Sequence, residues 1–131
     1  MIIQNVSYKR IENGNHYHSD NIELIQIVDP CKEFPISVKP FKEIHRFEFC
    51  DVSSSDSILW DGRMSESTGR EIIFILRNAY SANRDIIVHC MGGISRSGAV
   101  VEIGLRIGFK DSKGDYRNPN IYMVELMSSM L

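Results

Sequence analysis

Short apolar runs alternate along the chain with polar stretches rich in turn formers, and the period within each run predicts an element. Apolar segments at 2–8, 23–28 and 44–49, each bounded by turn formers, predict β-strands. Asp29-Pro30, Pro35 and Pro40 punctuate the connection between the second and the third. Residues 69–82, GREIIFILRNAYSA, put Ile72, Ile73, Leu76 and Ala79 on one broad face, which predicts an amphipathic helix capped by Ser65 or Ser67. The stretch 85–89 carries an unbroken apolar run, as expected of a strand buried on both faces of a parallel sheet. A helix is expected over 97–108, stopped by Gly108, and a last one over 120–130, entered after Asn118-Pro119. Between the third strand and the first helix, CDVSSSDSILWDGRMS (50–65) is polar and serine-rich, and reads as a long loop of the functional, lid-like kind. Strands interleaved with helices predict an α/β fold: a single domain over 1–131, with a central, mostly parallel sheet flanked by helices.

Composition narrows the function classes. With 24% charged residues and a formal net charge of −2, the chain has neither a basic nucleic-acid footprint nor a polybasic membrane anchor. No apolar run approaches the length of a membrane span, and the first residues carry no secretory leader pattern. The three cysteines, Cys31, Cys50 and Cys90, form no metal-ligand spacing and no disulfide framework. The expected compartment is therefore the reducing cytoplasm, where a cysteine that matters acts as a thiolate.

The chemistry concentrates in IIVHCMGGISRSG (86–98). In the predicted order of elements this stretch leaves the carboxyl end of a central strand and opens a helix, the edge of an α/β sheet where ligands bind. A tight loop at a helix N-terminus turns successive N–H groups toward one point, and the helix dipole adds positive charge there. Gly92 and Gly93 let the backbone curl closely, while Arg96 offers a planar fork of donors to two oxygens of a tetrahedral anion. Each of these features also stabilises a Cys90 thiolate. The combination is an anion cradle with a nucleophile at its floor. A Cys-x5-Arg pair alone would carry little weight; the added His, Gly and Ser at fixed positions, in a strand–loop–helix setting, make the pattern specific.

His89-Cys90-Met91-Gly92-Gly93-Ile94-Ser95-Arg96-Ser97 matches the HCxxGxxR(S/T) signature loop of the cysteine-based protein tyrosine phosphatase superfamily, and the SRSGAVV continuation resembles its dual-specificity branch. Over roughly 22–131 the order of elements resembles that of small bacterial and phage-type members. The resemblance implies the phosphatase fold and a protein phosphatase acting on phosphotyrosine, and on phosphoserine or phosphothreonine if its specificity is dual. Cys90 would form a phosphocysteine, and Arg96 with the loop residues Met91, Gly92, Gly93, Ile94 and Ser95 would hold the phosphoryl oxygens. Ser97 would assist the thiolate in leaving, and His89 would be a buried positioning residue. The implied general acid is an aspartate upstream of the nucleophile: Asp51, directly after the HRFEF strand, is expected, with Asp56 and Asp61 as rivals and Trp60 flanking the entrance. No cofactor or metal is implied, and the partner is a phosphorylated protein or peptide rather than nucleic acid or membrane. The competing readings are an RNA 5′-end or phosphoinositide phosphatase, which would call for lysines in the loop, and a phospho-ligand-binding pseudophosphatase without turnover.

Overall fold

In a computed structural model of the chain, which describes residues 1–53 and 62–131, the four apolar runs fold as strands of one parallel sheet that a short fifth strand completes. The elements in chain order are β1 (Ile2–Ser7), α1 (Tyr8–Asn13), β2 (Ile22–Val28), β3 (Glu43–Glu48), α2 (Glu66–Ser81), β4 (Asp85–Cys90), α3 (Arg96–Ile107), β5 (Lys110–Asp111) and α4 (Ile121–Ser128). The spatial order is β3-β2-β4-β1-β5, with every pairing parallel, so the sheet is wholly and not just mostly parallel. No helix among the described residues is long and apolar enough to cross a membrane.

The central strands explain their own sequences. β4 lies between β2 and β1, in the registers Leu24↔Ile87 and Asn5↔Val88. Side chains alternate between faces, so Ile86, Val88 and Cys90 join the core beneath the helices. Ile87 joins Val6, Ile11, Ile22 and Leu24 on the other side. Both faces are apolar because both are covered. Each fully buried Ile or Val contributes about 1.5–3 kcal/mol relative to exposure.

On the first face α2 buries Ile72, Ile73, Leu76 and Ala79, the expected stripe. Its cap is Ser65, whose Oγ accepts from the Thr68 amide at 3.1 Å, so the helix starts at Glu66 rather than at 69. An exposed Arg70–Glu66 pair at 2.8 Å staples the first turn. Gly108, at φ +136°, ends α3 as expected. The last helix is shorter than 120–130 because Asn120 is its cap, accepting from the Met123 amide at 3.0 Å.

Two elements were not foreseen. Tyr8, expected to end the first strand, instead opens α1, since Ser7 caps that turn and Gly14 closes it at φ +68°. β5 is a two-residue strand that pairs with Ile2 and Ile3 at the sheet edge.

Candidate active site

A parallel sheet gathers all its carboxyl ends on one edge, and the polar residues just beyond those ends meet there. Cys90 is the last residue of β4, in register with Ser7, the last of β1. Asp29 follows the end of β2, and Phe49, Cys50 and Asp51 follow the end of β3. The loop from Met91 to Ser95 then leads into α3, whose first residues, Arg96 and Ser97, are buried.

The loop is shaped by bonds to its carbonyls from outside. The Met91 carbonyl accepts from the Tyr8 amide at 3.3 Å, that of Ile94 from the Asn118 amide at 3.2 Å, and that of Ser95 from the Asn120 amide at 2.9 Å. The Gly93 carbonyl accepts from Asn5 Nδ2 at 2.6 Å, and the Cys90 carbonyl from His89 Nδ1 at 3.2 Å. With carbonyls drawn outward, amides are left to face inward. Those of Gly93, Ile94 and Ser97 favour the charged form of the Cys90 sulfur. Gly93 is required for this path: it sits at φ +70°, and a Cβ there would lie 2.5 Å from the Ser7 nitrogen and the Val6 carbonyl carbon.

Cys90 is 3% exposed, and its Sγ lies 3.3 Å from Ser97 Oγ. Burial pushes the thiol up, but the Ser97 hydroxyl and the amides of Ser97, Ile94 and Gly93 outweigh it and hold the thiol below its ordinary value. The contacts at this helix N-terminus thus favour the thiolate form of the sulfur.

Arg96 is 4% exposed. Its Nη1 donates to Asp29 Oδ1 at 2.7 Å and to the Phe49 carbonyl at 2.6 Å. Its Nε is buried and has no acceptor among the described residues. A buried donor that meets no protein acceptor is costly, and an anion in the cradle would satisfy it.

His89 is wholly buried, and the Tyr8 ring meets it edge-on at 6.0 Å between centroids. Burial drives its imidazole down to about 4; the bond to the Cys90 carbonyl pulls the other way, and the Arg96 charge adds to the lowering. The ring is therefore neutral near pH 7, with its proton on Nδ1 where the carbonyl accepts it.

Asp51 is exposed at the loop's rim, where Ser95 Oγ and Asn120 Nδ2 donate to its Oδ1 at 2.9 and 2.7 Å. Asp56, Trp60 and Asp61 lie outside the described residues. Met91 and Ile94 keep partly exposed side chains on the loop, with no cation between them. Four participants escaped the sequence reading: Asn5, Asp29, Asp115 and Asn120. Asp115 braces the far side of β1, accepting from the Ser7 amide at 2.8 Å and from Arg10 Nη1 at 2.8 Å. Asp29 had been visible only as a turn former before Pro30.

At the opposite edge of the sheet, Glu23, Glu43 and His45 hold their ligating atoms within 4.8 Å of one another. The guanidinium of Arg84 already stands there, 3.2 Å from Glu23 Oε2, so the cluster carries its own cation and is an ion-pair network. No family model matches the chain, and no curated protein does.

Proposed function

We propose that the chain is a cysteine-dependent phosphatase of phosphate monoesters, with phosphorylated protein as its substrate class and the protein tyrosine phosphatase fold, of the dual-specificity kind, as its framework. What supports this reading is the strand–loop–helix turn itself: a sulfur 3.3 Å from Ser97 Oγ, with the amides of Ser97, Ile94 and Gly93 favouring its charged form, in a loop that leads into Arg96, whose buried Nε has no acceptor among the described residues.

Two steps follow from these residues. Cys90 Sγ attacks phosphorus in line, forming the S–P bond as the ester P–O bond breaks, and Asp51 gives its proton to the leaving oxygen. Water then attacks phosphorus, Asp51 takes its proton, and the S–P bond breaks to release phosphate. Ser97 donates to the departing sulfur, and the amides and Arg96 stabilise the equatorial oxygens in both steps. Met91, Gly92, Ile94 and Ser95 add no charge to the loop, which favours a simple monoester over a polyanionic phosphoinositide or RNA end. The place of action is the cytoplasm, where the thiolate stays reduced.

The test is turnover of p-nitrophenyl phosphate by the wild type and by Cys90→Ser. Wild-type turnover that survives a chelator, lost in Cys90→Ser with orthovanadate binding retained, is the expected result. Activity in Cys90→Ser within about tenfold of wild type would exclude the phosphocysteine.

A further inference from the structure

Asn120 is 2% exposed and uses every polar atom of its side chain. Its Nδ2 donates to Asp51 Oδ1 at 2.7 Å and to the Val52 carbonyl at 3.1 Å. Its Oδ1 accepts from the Met123 amide at 3.0 Å, which caps α4. Its own amide donates to the Ser95 carbonyl at 2.9 Å. One buried residue thus ties together the segment after β3, the phosphate loop and the start of α4. Such a fully bonded polar group fixes its neighbours in one arrangement.

The consequence falls on Asp51. Ser95 Oγ donates to the same oxygen, Oδ1, at 2.9 Å, so two donors converge on it, and among the described residues Oδ2 takes no hydrogen bond. An oxygen that already accepts two N–H or O–H bonds has no room for a proton of its own. We infer that Asn120 is the positioning residue of the general acid: it holds Asp51 at the loop's rim and assigns the transferable proton to Oδ2. The inference rests on the phosphatase reading, with Asp51 as the acid. It predicts an effect on formation of the phosphocysteine that grows with the leaving oxygen's need for a proton. The second step, in which Asp51 takes the water proton, is common to both substrates. Phenyl phosphate needs one; p-nitrophenyl phosphate releases an anion that leaves nearly unaided.

The experiment compares the two substrates across wild type, Asp51→Asn, Asn120→Ala, Asn120→Ser and the double variant Asp51→Asn with Asn120→Ala. Asn120→Ser keeps a capping hydroxyl for α4 but is too short to hold Asp51, so its melting temperature should stay near wild type. Both Asn120 variants should lose about 10–100-fold in kcat/KM, which reports phosphocysteine formation alone, on phenyl phosphate and no more than about threefold on p-nitrophenyl phosphate. Orthovanadate inhibition should stay within about twofold of wild type, because the cradle is intact. In the Asp51→Asn background, Asn120→Ala should cost nothing further on phenyl phosphate, since the two act as one unit. Equal losses on both substrates, additive losses in the double variant, or unfolding of both single variants would make Asn120 a structural residue and overturn the inference while leaving the phosphatase standing. An Asp51→Asn variant as active as wild type on phenyl phosphate would remove Asp51 as the acid, and the inference with it. Absence of Cys90-dependent turnover in the wild type would refute the phosphatase reading itself.

Discussion

Arg96 and Asp29 form a pair across the carboxyl edge of the sheet, Nη1 to Oδ1 at 2.7 Å, with the arginine buried and the aspartate 42% exposed. The pair orients the guanidinium: Nη1 is committed to Asp29 and the Phe49 carbonyl, which turns the Nε side toward its unmet bond. On the phosphatase reading the two residues would divide the work, Arg96 holding the anion and Asp29 holding Arg96.

This division has a measurable consequence. Arg96→Lys replaces a fork by a point charge and should lower kcat/KM for p-nitrophenyl phosphate by about 10²–10³. Asp29→Asn keeps an acceptor for Nη1 and removes only a half-exposed charge, worth about 1 kcal/mol at most, so its loss should stay within about fivefold. Steady-state kinetics on the two variants separates the roles; equal losses would mean that Asp29 itself meets the substrate.

The thiolate can be read without any substrate. Iodoacetamide alkylates only the charged sulfur, so the Cys90 rate should level off at a pH below the ordinary thiol range of about 8.5. Removing the hydroxyl with Ser97→Ala takes one hydrogen bond from the charged form and should move that midpoint upward. Mass mapping of the Cys90 peptide is needed because Cys31 is exposed and reacts too. An unmoved midpoint would show that the amides alone hold the thiolate.

His89 makes stability depend on pH. Its folded value of about 4 lies below the roughly 6.5 of an unfolded histidine, so between these values the unfolded chain binds a proton that the native protein refuses. Stability is full above about 6.5 and is lost as pH falls toward 4, by about 3 kcal/mol at the limit. Urea unfolding across that window should show the slope, and His89→Gln should flatten it. His16, also lowered by burial, contributes its own share and survives the substitution.

Gly93→Ala tests the loop's path. The added methyl meets the backbone of β1 at 2.5 Å in a left-handed conformation, and neither strand nor loop can yield cheaply. A loss of about 2–5 kcal/mol in unfolding free energy is expected, together with loss of orthovanadate binding. Gly92→Ala meets only the flexible Ile94 side chain, at 3.8 Å, and is the control that should stay folded.

What was legible in the chain followed from local rules. The apolar run of β4, the stripe of α2 and the Gly108 stop each act within a few residues, so pattern alone places them. The tight turn after β4 was legible because its backbone path demands glycine at 93. α1 was not, since a turn of helix made by YKRIEN has no period long enough to register, and only the Ser7 cap and Gly14 define it. Asn5, Asp29 and Asn120 stayed hidden for a different reason. Each acts on a partner far along the chain, Gly93, Arg96 and Asp51 respectively, and no spacing rule links them. Asn5 is itself a wholly buried polar residue in a packed strand, where a local rule is broken and the side chain holds the Gly93 carbonyl.

The strand order carries a last consequence, for how the protein comes into being. The loop after Cys90 leaves the middle strand, and the supports of the loop and of Arg96 come from both sides: Asn5 of β1 and the Tyr8 amide just beyond it, Asp29 from beyond β2, the Phe49 carbonyl from beyond β3. A nascent chain or a peptide holding only 86–98 has the signature and none of its scaffolding. The binding pocket cannot mature before the sheet has closed on both flanks of β4. On the phosphatase reading, orthovanadate would be a ligand of the completed sheet alone, and at a hundred times its dissociation constant it should raise the free energy of global unfolding by about 2.7 kcal/mol. Affinity for a small oxyanion then doubles as a gauge of folding yield, readable in a crude refolding mixture long before any substrate is known.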